Sequence, residues 1–103
     1  MGNIAIDNRD YWIKVVGMLQ QNWALISSAA SNVRVYFLND VGGIFDELDF
    51  DSTDDAVRAL TRNGFSRFSE NREIQKFIAP PREPFSLGSH PAGKIYSSGK
   101  YWE

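Results

Sequence analysis

The chain has 103 residues, of which 43% are hydrophobic, 23% charged and 14% aromatic, with a net charge of −2 and no cysteine. That length suits one domain around one core, and near-average composition excludes a chain dominated by disorder. The lack of cysteine excludes disulfides, thiolate metal centres and a cysteine nucleophile.

No apolar run approaches the ~20 residues of a membrane-spanning helix. The stretch Met1–Arg9 lacks a basic segment followed by an apolar one, so no secretory leader is read and the expectation is a cytoplasmic protein. Ile6 stands where a myristoylation signal needs Ser or Thr. Charge is lopsided. Up to residue 57, Arg9, Lys14 and Arg34 face nine acids; after it, eight Lys or Arg face four Glu. Such asymmetry marks a partner face or two halves that pair with each other on folding.

Residues 1–7 read as a flexible arm. From Asp10 to Leu19 two templates compete. Trp12, Val15, Val16 and Leu19 fit a helix; Tyr11, Ile13, Val15 and Leu19 fit a strand. The β-branched Ile13, Val15 and Val16 favour a strand. Asp10 as a cap and the polar end Gln20-Gln21-Asn22 favour a helix, which is the expectation.

The apolar run Trp23–Ile26 is predicted to be a buried strand of about 23–27. A small polar loop follows, and then a strand over 33–39 with Val33, Val35 and Phe37 on one face. Asn39-Asp40-Val41-Gly42-Gly43 carries the residues of a hairpin loop. The next strand, 44–50, is predicted to place Ile44, Leu48 and Phe50 on one face and Phe45, Glu47 and Asp49 on the other, with Asp46 interrupting the inner row.

The best-specified element is the helix after Phe50. Asp51 or Ser52 caps it, and Asp54 and Asp55 suit the positive end of its dipole. Ala56, Val57, Ala59 and Leu60 form its apolar stripe. Asn63-Gly64 ends it, with Gly64 left-handed and Phe65 returning to Leu60 in a Schellman motif. A second short helix is predicted over 70–78, capped by Ser69, with Ile74, Phe77 and Ile78 on one side. Ala79-Pro80-Pro81 stops it. Residues 87–103 read as a partly flexible tail, with a hairpin around Ser97-Ser98-Gly99 as the alternative.

Chemistry is harder to find. His90 is the one histidine and sits in the tail, where it cannot be held as a general base. No nucleophile elbow, phosphate-binding loop or dinucleotide fingerprint occurs. The expectation is therefore a protein that is not an enzyme and that takes no cofactor or metal. Asp46, Glu47, Asp49, Asp51, Asp54 and Asp55 form an acidic stretch, but it lacks the glycine and terminal Glu of a calcium loop. Capping and strand alternation already account for most of it. Arg62, Arg67, Arg72, Lys94 and Lys100 are the candidate phosphate contacts of a nucleic-acid binder, against an acidic pI of about 5.3.

The fold expected is a small two-layer α+β domain spanning 1–86, an antiparallel sheet of three or more strands packed against two or three helices. The function expected is protein–protein interaction or self-association with an unknown partner. Its contacts would be an outward row of Tyr36, Leu38 and Phe45, together with Tyr101 and Trp102 of the tail. A nucleic-acid accessory protein using the five basic residues is the alternative. A small-ligand or metal-binding domain using Asp46 and Asp49 comes second.

Overall fold

The computed structural model describes residues 6, 9–16, 20–28, 32–82, 85–88, 96 and 102. Its elements are β1 (Trp12–Val16), β2 (Gln20–Ser27), β3 (Val33–Leu38), β4 (Gly43–Phe50), α1 (Thr53–Arg62), β5 (Ser66–Arg67), a 3-10 turn (Phe68–Glu70), α2 (Arg72–Gln75) and β6 (Ser86–Leu87). The strands form one sheet in the order β5-β1-β2-β3-β4-β6. The first five run antiparallel to their neighbours, and β6 pairs in parallel with the start of β4. The molecule is thus a small α+β domain. None of its described helices is long and apolar enough to cross a membrane.

Within the stretch 10–19, where a helix is expected, residues 12–16 form a strand, and 17–19 lie outside the described residues. Trp12 pairs with Ala24 and Val16 with Gln20, so β1 and β2 are antiparallel neighbours. The reason lies in burial on both sides. Trp12 joins one apolar cluster with Ala24, Val35 and Phe37. Tyr11, Ile13 and Val15 join a second with Trp23, Leu25 and Leu38. A strand buried on both faces reads as a nearly unbroken apolar run, which also satisfies a helical template. The polar triplet taken for a helix end continues β2 instead. The Trp23 indole N–H donates to Gln21 Oε1 at 3.0 Å, and Asn22 Nδ2 donates to the Tyr96 hydroxyl at 2.7 Å.

The β3–β4 hairpin forms where expected. Asn39 Oδ1 accepts from the amides of Val41 and Gly43 at 3.1 and 2.8 Å, and Gly42 takes φ +85°. Facing in β4 departs from simple alternation. Phe37 pairs with Asp46, but Leu38 pairs with Ile44, which leaves Phe45 as the extra residue of a bulge. Ile44 therefore belongs to the second cluster and Phe45 to the first, with Leu48 and Phe50 packed beside it. The sequence assigns these two residues the opposite way, because alternation carries through only where no residue is inserted.

Helix α1 follows its sequence closely. Ser52 Oγ accepts from the Asp55 amide at 3.1 Å. At the other end the Phe65 amide donates to the Leu60 carbonyl at 2.9 Å and the Gly64 amide to Thr61 at 3.1 Å, the two bonds of a Schellman motif. Ala56, Leu60 and Phe65 are buried in the first cluster. Tyr96 is there too, its ring 4.4 Å from Phe37 and 5.7 Å from Phe65.

The second helix is shorter than expected and differently capped. Asn71, not Ser69, accepts from the Ile74 amide, at 3.1 Å. A 3-10 turn precedes it, and before that turn β5 pairs with β1. Phe68, Ile74 and Ile78 pack on the second cluster, which also buries Ile6 and Phe85. Apolar side chains thus gather on both faces of the sheet, not on one.

Candidate functional site

The outward apolar row expected from the sequence is not exposed. Leu38 is fully buried and Phe45 nearly so. They lie in different clusters, and Tyr36 is half-buried against the second. Two causes act together: the bulge turns Phe45 inward, and residues 68–78 with Phe85 cover the face that Leu38 meets. Trp102 is half-buried, 5.7 Å from the Phe37 ring and 5.6 Å from Tyr96. Tyr101, His90, Lys94 and Lys100 lie outside the described residues.

The acidic residues do not converge. Asp46 is buried and accepts from the Tyr96 amide at 2.8 Å. Asp49 lies on the opposite side of β4, bound by the Arg34 guanidinium at 2.7 and 3.2 Å. That hydrogen bond holds the Asp49 carboxyl below the usual range and raises Arg34. A cleft of about 350 Å³ beside Asp49, Asp51 and Asp55 also holds Arg58 and Arg62. Arg58 closes on Asp55 at 2.5 Å. Among the described residues no three metal-ligating side chains come together.

The basic residues are dispersed. Arg62 ends α1. Arg67 stacks on the Trp12 ring at 4.7 Å and pairs with Glu70 at 3.4 Å. Its Nε also lies 3.1 Å from Asp10 Oδ2, close enough for an ion pair although the N–H is not aimed at the oxygen. Arg67 and Arg72 share a cleft with Glu70 and Glu73, so acids interleave with the cations.

A different surface stands out. Val15 lies on the second-cluster side of β1, opposite its β2 partner Gln21. Above them sits α2. A four-residue helix has little stability of its own, and side-chain bonds hold it in place. Asn71 caps its start and donates to Ser66 Oγ at 3.1 Å. Gln75 Nε2 donates to the Phe68 carbonyl at 2.6 Å. Ile74 and Ile78, one turn apart, turn toward the sheet. Between them and the strands lies a groove of about 370 Å³, lined by Val15, Gln21, Glu73, Ile74, Phe77 and Ile78.

Phe77 was expected to share the inner side with Ile74 and Ile78. It is instead 83% exposed, because regular α-helix ends at Gln75 and the chain turns there. Glu73 and Lys76 lie 3.5 Å apart beside it. Sequence reading missed Val15 and Gln21 as lining residues, since the strand pairing that sets them side by side is invisible locally. The one local signal was Phe77 itself, an aromatic at the end of a segment halted by Pro80 and Pro81. No family model, curated protein or solved structure matches the chain.

Proposed function

We propose that this domain is a non-enzymatic protein–protein interaction module, and that it docks an apolar side chain in the groove of Val15, Ile74, Phe77 and Ile78. The observation that carries this reading is the 83% exposure of Phe77 at the mouth of that groove. A large aromatic left in water beside an apolar depression has unsatisfied surface, and such surface marks association sites. Tyr36, Leu38, Phe45 and Trp102 pass from the docking surface to the scaffold in this reading. The scaffold is a sheet with α1 layered on one face and residues 68–78 covering the other. We place the protein in the cytoplasm, in keeping with its cysteine-free composition. Nucleic-acid binding is the weaker reading, since Arg67 and Arg72 alternate with acids in their cleft.

Titration of the full chain with N-acetyl-phenylalanine methylamide, followed by amide chemical shifts, tests the docking reading. Shifts are expected at Val15, Gln21, Ile74 and Ile78, and Phe77→Ser should abolish them while leaving the remaining spectrum in place. Shifts centred on the α1–β4 cleft, or none at all, would overturn it.

A further inference from the structure

We infer that the occupant of this groove is Phe77 of a second copy of the chain, so that two domains associate about a two-fold axis; the inference rests on the groove being a docking site. Projection and depression lie on one surface. Phe77 stands out from the domain, and the groove it borders holds about 370 Å³, ample for one phenyl ring. A surface carrying both is complementary to itself under two-fold rotation, each ring entering the other copy's groove.

Charge agrees with this arrangement. Glu73 lines the groove and pairs with Lys76, and the two charges cancel, so two copies meet there without net repulsion. Glu73 and Lys76 sit side by side on the rim. Antiparallel approach of two α2 segments sets Lys76 of each copy against Glu73 of the other. A uniformly acidic or basic partner would meet one favourable and one opposed charge at the same place.

Sedimentation equilibrium of the full chain from about 10 μM to about 1 mM tests this. A monomer–dimer equilibrium is expected. Phe77→Ser should lower the association constant about tenfold or more at an unchanged thermal midpoint, since an exposed ring contributes little to folding. Glu73→Lys and Lys76→Glu should each weaken association about threefold. An equimolar mixture of these two variants should recover wild-type association as a heterodimer, which pairing within one copy cannot produce. A wild-type chain that stays monomeric at every concentration overturns the inference, as does a dimer indifferent to Phe77→Ser. If the monomer still takes the phenylalanine probe in its groove, the docking reading stands and the occupant is another protein. If the probe also fails, both fall.

Discussion

Gly64 takes φ +90° at the end of α1, a conformation that costs any residue with a Cβ on the order of 1 kcal/mol or more. Space is not the difficulty. A Cβ there would meet only the flexible end of the Lys14 side chain, at 3.4 Å or beyond. The cost is therefore one of backbone, and it should grow with branching. Gly64→Val should lower stability by about 1–2 kcal/mol, read from the urea midpoint, with Gly64→Asn milder because asparagine tolerates the left-handed region. Equal losses for the two variants would place the cost in packing instead. This residue was legible in the sequence, since the capping bonds join neighbours five residues apart or fewer. Asn22 was not. Its role as donor to Tyr96 depends on a residue 74 positions away.

At the scale of elements, β6 shows how a two-residue strand is held. The Ser86 amide donates to the Gly42 carbonyl at 3.3 Å and the Gly88 amide to Ile44 at 2.9 Å. Two glycines let the backbones close. A Cβ on Gly88 would lie 2.6 Å from Gly43 Cα and 2.9 Å from its carbonyl carbon. Backbone cannot turn aside as a side-chain tip can, so Gly88→Ala should push β6 off β4. The expected result is loss of hydrogen-exchange protection at Ser86 and Gly88 and a stability loss of about 1–3 kcal/mol, the value of two bonds. Retained protection would mean that β4 shifts instead. Elements with caps or turn residues were readable: α1, the 39–43 loop, β3 and the span of β4. β1 was misread as helix because its two buried faces erase the polar alternation that identifies a strand. β5 and β6 are too short to leave a pattern.

For the molecule as a whole, two aromatic residues late in the chain, Phe85 and Tyr96, anchor opposite faces of the sheet. Phe85 is buried in one cluster and Tyr96 in the other, with β6 paired along the β4 edge between them. Tyr96 is held at two polar points, its amide on Asp46 and its hydroxyl on Asn22. Burial pushes its phenol up to about 12; the Asn22 bond opposes the rise and the Asp46 charge adds to it. The folded state thus keeps a proton that the unfolded chain begins to release near pH 10. The stability tied to this proton is complete below pH 10 and is lost as pH rises through 12, a decline of about 3 kcal/mol. Tyr96→Phe should flatten that part of the urea-midpoint profile. It should also lower stability at neutral pH by about 1–3 kcal/mol, because Asn22 Nδ2 loses a buried acceptor. An alkaline slope unchanged in Tyr96→Phe would assign the decline to other groups.

Residue order along the chain was enough to determine α1 from cap to cap, the loop at Asn39, the extended stretches on either side of it and the lack of thiol chemistry. Each of these is set by hydrogen bonds or backbone preferences within a few positions. Which face Ile44 and Phe45 take, whether 12–16 is helix or strand, and where Leu38 and Phe77 stand relative to water were settled by packing. These depend on partners brought together from distant positions, such as Tyr11 donating to the Pro81 carbonyl, and on the one-residue bulge that reverses a strand's facing. Leu38 is inside because Ile74 of the short helix and Ile78 beyond it pack on its side of the sheet, and Phe77, in the turn between them, is left facing water.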